Sequence, residues 1–130
     1  MKIPRILLVD DEVAFANNLL KLLSKRGYDA VVVYNGADAV NMVGEKEFDV
    51  IILDIKKMPG MDGIATLKEI KKKVPLVEVV ILTGHGSIES GIEGMQLGAF
   101  DFLMKPVSID DLQEKVSEAY RRKLIQRERE

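Results

Sequence analysis

Val50-Ile51-Ile52-Leu53-Asp54 is the stretch that most constrains the fold: four apolar residues of high β-preference run into one carboxylate with no turn residue between them. A strand apolar on both faces belongs inside a parallel sheet. Such a sheet has to be covered by helices on each side. Open α/β sheets bind ligands beyond the carboxyl ends of their strands, so Asp54 is the leading candidate for chemistry.

The rest of the chain alternates in the same way. Residues 3–9 are apolar apart from Pro4 and Arg5 and stop at Asp10-Asp11-Glu12, which predicts a first strand ending in three acids. Over residues 13–25, Val13, Ala16, Leu20 and Leu23 recur at helical spacing, Leu19 and Leu22 widen that face, and Gly27 closes the helix. Residues 30–33 read as a second strand, followed from Asn35-Gly36 by a weaker helix through Ala37, Ala39, Val40 and Val43 to Gly44. After Asp54 comes a loop, Lys56-Lys57-Met58-Pro59-Gly60-Met61-Asp62-Gly63, in which Asp62, bracketed by Gly60 and Gly63, reads as a turn or helix cap rather than a ligand. That helix uses Ile64, Leu67 and Ile70, and Lys71-Lys72-Lys73 suits its negative carboxyl end.

Residues 77–82 predict a fourth strand that runs into Thr83-Gly84-His85-Gly86. Residues 87–97 predict a helix with Ile88, Ile92 and Met95 as its inner face, extended by Leu97. Gly91 and Gly94 lie inside it, each costing about 1 kcal/mol relative to alanine. It is therefore the least self-sufficient helix. Residues 100–104 read as a fifth strand ending at Lys105-Pro106. Ser108 then caps a last helix with Asp111 at its third position and Ile109, Leu112, Val116 and Ala119 as its buried stripe. Residues 121–130 hold seven charged residues in ten and neither Pro nor Gly, so this helix is free to run on.

This pattern is an α/β fold, a (βα)5 doubly wound domain over residues 1–120, with 121–130 a charged helical extension or the start of a linker. At 130 residues, 47% apolar and 31% charged, the chain suits one globular domain. Nineteen Lys and Arg against 21 Asp and Glu leave a net charge of −2. That argues against nucleic-acid or membrane attraction over the whole surface. No cysteine occurs, which excludes disulfides and thiolate metal sites. No apolar run is long enough for a membrane span or a signal-peptide core, and a cytoplasmic location is expected.

Short connections make the strands parallel, which brings Asp10, Asp11, Asp54, Thr83 and Lys105 to one edge. Singly, each has an ordinary reading: Asp10 or Asp11 as a helix cap, Asp54 as a turn cap, Thr83 as a strand end, Lys105 as a solvated charge. Their convergence changes this. Three ionised carboxylates in one crevice repel, and the remedies are raised pKa values or a bound cation. A hard, oxygen-liganded ion, Mg2+ or Mn2+, fits best.

Val9-Asp10-Asp11-Glu12, Asp54 followed by Met58-Pro59-Gly60-Met61-Asp62-Gly63, Thr83-Gly84, and Phe102 through Lys105-Pro106 together resemble the receiver domain of two-component response regulators. The resemblance covers residue 4 to about residue 120 and implies a five-stranded parallel sheet in the flavodoxin-like order 2-1-3-4-5. It also implies that a sensor histidine kinase or phosphotransfer protein donates a phosphoryl group to Asp54. Asp10, Asp11, Asp54 and the Lys56 backbone carbonyl would hold Mg2+. Thr83, Gly84 and Lys105 would bind the phosphoryl oxygens, and Thr83 and Phe102 would form the switch that repacks the fourth helix and fifth strand. The family's cis bond would fall at Lys105-Pro106, and His85, two residues after Thr83, at a position that tunes phosphate lifetime. Phe102 replaces the tyrosine of many relatives. Ile55, Lys56 and Lys57 make three residues where the family usually has two, so this loop is expected to bulge and to weaken metal binding. The motifs are similar in style to those of NtrC-type transcription activators, implying a transcriptional output domain absent from this chain and pairing of two receivers on phosphorylation. A switch is expected rather than a turnover enzyme. Haloacid-dehalogenase-like phosphatases place a second aspartate where Lys56 stands, and FMN binders have a first loop rich in Ser, Thr and Gly rather than Asp10-Asp11-Glu12.

Overall fold

A computed structural model of the chain describes residues 3–55, 61–84 and 88–129. Among these, five strands and five helices alternate: β1 (Arg5–Val9), α1 (Val13–Lys25), β2 (Asp29–Val33), α2 (Gly36–Glu45), β3 (Val50–Asp54), α3 (Gly63–Lys73), β4 (Glu78–Thr83), α4 (Ile88–Gln96), β5 (Asp101–Met104) and α5 (Ile109–Glu128). β1 starts only at Arg5 because Pro4 has no N–H to give a sheet ladder. The strands form one parallel sheet in the order β2-β1-β3-β4-β5, with β3 buried along its whole length. The order implied by the resemblance is the order observed.

Two cores follow from the two-residue period of the central strands. Leu7, Val9, Ile51, Leu53, Val79 and Ile81 point to one face, where Ala39 and Val43 of α2 and Leu67 and Ile70 of α3 cover them. Ile6, Leu8, Val50, Ile52, Val80 and Leu82 point to the other, against Ala16, Leu19 and Leu23 of α1 and Leu112, Val116 and Ala119 of α5. The helices begin where their sequences allow capping. Asn35, Asp62 and Ser108 each accept a backbone N–H from three residues on, that of Asp38, Ala65 and Asp111 respectively. Val13 stays half exposed, since it opens α1 in the turn bordering the carboxyl edge, and Ala37 in the first turn of α2 is exposed too.

The inner face of α4 departs from expectation. Ile88, Ile92 and Met95 are 49%, 50% and 37% exposed, and the residues turned to the sheet are Gly91 and Gly94. A β-carbon on Gly94 would run into the end of the buried Ile81 side chain, its Cδ1, so a side chain there would require Ile81 to shift. The apolar residues are displaced to the outer surface, and only Leu97, just past the helix, packs against the core.

α5 runs unbroken to Glu128 and crosses the opposite, amino-terminal edge of the sheet. Arg122 forms a two-pronged pair with the buried Glu78 and stacks 4.6 Å above the Phe100 ring. The buried Lys123 donates to Asp49 Oδ1 at 2.7 Å and to the Phe48 carbonyl at 3.2 Å. Among the described residues no helix is long and apolar enough to cross a membrane.

Candidate functional site

The chain turns as soon as β1 ends. Asp10 Oδ1 accepts the Glu12 N–H at 2.9 Å, and its Oδ2 accepts from Lys105 Nζ at 2.8 Å. Asp10 is thus a buried carboxylate that closes the turn before α1, and the helix-capping reading of it does not hold. Glu12 is the cap residue of α1, yet its side chain makes no capping bond; Oε1 instead takes a bond from the same ammonium at 3.2 Å.

Asp54 ends β3, buried, with Oδ2 at 3.6 Å from Lys105 Nζ. The backbone behind it is held by the start of α3. A β-carbon on Gly63 would sit 2.6 Å from Ile55 Cα and 2.7 Å from the Asp54 carbonyl oxygen, an approach open only to glycine. Asp62 serves as the cap of α3, its Oδ1 accepting the Ala65 N–H at 2.8 Å.

Lys105 follows β5, its N–H bonded to the Thr83 carbonyl at 2.7 Å, which ties the ends of β4 and β5 together. The Lys105-Pro106 bond is cis. The ammonium faces Asp10, Glu12 and Asp54 and lies 4.4 Å above the centre of the Phe15 ring. Burial pulls its pKa down, but the hydrogen bond to Asp10, the charges of Asp54 and Asp10, and the bond to Glu12 outweigh burial and hold Lys105 above the ordinary lysine value. It is a fixed cation.

Thr83 is fully buried, and its Oγ1 donates a long bond, 3.5 Å, to the Leu103 carbonyl. Gly84 follows it, half-buried, and Phe102 on β5 is half-buried against the α2–α3 side of the core. Carboxylate oxygens of Asp10, Glu12 and Asp54 lie within 4.8 Å of one another. This is an all-oxygen, anionic donor set, which a hard divalent cation fits. Asp11, half-buried beside them, is outside that group of three.

Of the residues singled out in the sequence, Asp10, Asp54 and Lys105 thus meet directly, with Thr83 tied to Lys105 through the strand ends. Lys56, with the inserted Lys57 and Met58-Pro59-Gly60, and His85 lie outside the described residues. Glu12 and Phe15 went unassigned in the sequence. Glu12 was visible as the third acid of its run. Phe15 gave no signal, being apolar but off the inner stripe of α1.

Residues 6–117 match the family described as the response regulator receiver domain. The chain is 44% identical over 114 residues to the transcriptional regulatory protein ZraR of Salmonella typhimurium, covering 88% of this chain and 26% of that protein. It is 39% identical over 103 residues to the DNA-binding transcriptional regulator NtrC of Escherichia coli, covering 79% of this chain and 22% of the relative. The chain thus spans about a quarter of the length of such curated relatives. Among solved structures, a response regulator receiver domain protein from Clostridium thermocellum superposes with a TM-score of 0.90 at 36% identity, covering 95% of this chain and 99% of that one.

Proposed function

Because this chain belongs to the response regulator receiver domain family, whose members are switches of two-component signalling rather than turnover enzymes, we propose that it is switched by phosphorylation of Asp54. The observation that carries this reading is the buried Asp54 carboxylate at the end of β3, faced by a fixed ammonium and by two further carboxylates able to hold a cation.

The donor is the phosphohistidine of a sensor histidine kinase or phosphotransfer protein. An Asp54 carboxylate oxygen attacks phosphorus; the new O–P bond forms as the P–N bond breaks, and its electron pair returns to the imidazole nitrogen. Carboxylates ionise well below neutral pH, so such a nucleophile needs no general base. Lys105, already within 3.6 Å of Asp54 Oδ2, pairs with the negative oxygens of the transferred group. Asp10, Asp11 and Asp54, with the Lys56 carbonyl, are the proposed holders of Mg2+ or Mn2+, and Glu12 stands close enough to join them. The bound ion supplies charge neutralisation on the phosphoryl oxygens.

Thr83 Oγ1 and the Gly84 N–H bind the phosphoryl oxygens after transfer. The bond Thr83 gives up, at 3.5 Å to Leu103, is a weak one. Its movement frees space for Phe102 to turn inward, which repacks α4 and β5 and reaches an output domain or partner, by this reading a transcriptional one. Incubation with acetyl phosphate and Mg2+ is expected to add one phosphoryl group by intact mass, and Asp54→Asn to add none. Unchanged labelling of that variant would overturn the assignment.

A further inference from the structure

The face that α4 turns to the sheet is glycine, and one of these glycines stands between the two residues of the proposed switch. A β-carbon on Gly91 would lie 3.3 Å from Thr83 Cγ2 and 3.4 Å from Phe102 Cγ. Both are shorter than the optimal separation of carbon atoms, about 3.5–4.0 Å. One turn later Gly94 seats the helix against Ile81, whose terminal methyl a β-carbon there would have to displace. α4 thus faces β4 and β5 through glycines, and residue 91 presents no side chain to Thr83 and Phe102.

We propose that Gly91 is the positioning residue that couples Thr83 to Phe102: its missing methyl group leaves the gap through which the two side chains move in turn. The proposal rests on the phosphorylation reading of the site. When Thr83 turns toward an acyl phosphate on Asp54, the ring of Phe102 gains room only if nothing on α4 stands across its path. A methyl group at residue 91 requires the resting pair to give by only a few tenths of an ångström. It touches both side chains at once, however, and any inward movement of the ring has then to displace a helix already seated at Gly94. Packed interfaces respond to such a block by staying in one arrangement rather than deforming smoothly.

The test uses the full chain, with amide NMR shifts read before and after addition of beryllofluoride and Mg2+, and with Asp54 labelling by acetyl phosphate read by intact mass. Gly91→Ala is expected to take one phosphoryl group as the unmodified chain does and to show the shifts around Asp54. It is expected to lose most of the displacement in α4 and β5. Glu93→Ala, on the exposed side of the same helix, is expected to keep it. A labelled Gly91→Ala chain with full displacement, or a Glu93→Ala chain that loses it equally, overturns the proposal alone. An unmodified chain that takes no label overturns the site reading and this proposal with it. Should Gly91→Ala fail to fold by circular dichroism, Gly91→Ala in a Thr83→Ser background removes the tighter contact and keeps the hydroxyl. Compared with Thr83→Ser alone, loss of the displacement again supports the proposal and equal displacement overturns it.

Discussion

At the scale of single residues, the site is organised by one ammonium. Lys105 is held by Asp10 at 2.8 Å, Glu12 at 3.2 Å, Asp54 at 3.6 Å and the Phe15 ring at 4.4 Å. A lysine so anchored has lost its conformational freedom before any phosphoryl group arrives, which is what electrostatic preorganisation requires. Lys105→Met keeps an apolar side chain of similar length and removes the ammonium with its charge and hydrogen bonds. It is expected to slow Asp54 labelling by acetyl phosphate about 100-fold, the usual cost of losing one preorganised group, with the final stoichiometry unchanged. Timed intact-mass measurements decide this: a rate near that of the unmodified chain would remove Lys105 from the phosphoryl-binding set.

At the scale of elements, α5 holds the sheet from two sides. Its buried stripe covers β3 and β4, while Arg122 and Lys123 reach Glu78 and Asp49 at the other edge. β5 is tied to it by Lys115, whose ammonium lies 2.8 Å from Asp101 Oδ2. Burial pushes the Asp101 carboxyl up, but the Lys115 hydrogen bond, the Phe102 N–H and the Lys115 charge outweigh it and leave Asp101 below the ordinary aspartate value. The Asp101 bond in turn holds Lys115 above the ordinary lysine value, against the smaller pull of burial. A depressed carboxylate contributes stability that is present above its unfolded pKa and lost as pH falls through its folded pKa. A raised ammonium contributes stability that is full below its unfolded pKa and lost as pH rises through its folded one. The pair is at full strength through the neutral range, and its partial exposure limits it to about 1 kcal/mol or less. Asp101→Asn is expected to lower the urea midpoint at pH 7 by a corresponding amount, and the gap to the unmodified chain to close as pH falls below the ordinary aspartate range. A gap that persists unchanged into acid would show that the pair does not titrate with folding.

At the scale of the whole molecule, the chemistry sits at one edge of the sheet while the apolar surface lies to its side. Ile88, Ile92 and Met95 of α4 and Met104 of β5 are all exposed, on the elements the proposed switch repacks. Single exposed apolar residues are unremarkable, but a group on one moving face fits an association surface. Pairing of two receivers on activation is the expectation. Sedimentation with and without beryllofluoride and Mg2+ measures it: a shift toward dimer on addition is the expected outcome, and a monomer under both conditions at high concentration counts against it.

The alternation of strands and helices, the buried β3, the start of a helix at Asn35-Gly36, Asp62 as a turn or helix cap, Ser108 as a cap, and the arrival of Asp10, Asp54, Thr83 and Lys105 at one edge were all legible in the sequence. They depend on short-range regularities: a two- or 3.6-residue period, a cap three residues from its partner, and a helix between successive strands that returns the chain to run parallel. The order of the strands was carried by the motifs' resemblance to a family, since no local pattern distinguishes one order from another. The packing face of α4 was decided by tertiary structure alone, because the helix meets Ile81, Thr83 and Phe102 through Gly94 and Gly91, and at that approach glycine packs better than isoleucine. The clasp around Lys105 was decided there too. Glu12 lies 93 residues away in sequence and meets the ammonium only once β1 and β5 have taken their places in the same sheet. Helical periodicity reports which residues are apolar; which of them are buried depends on how near the neighbouring element can come.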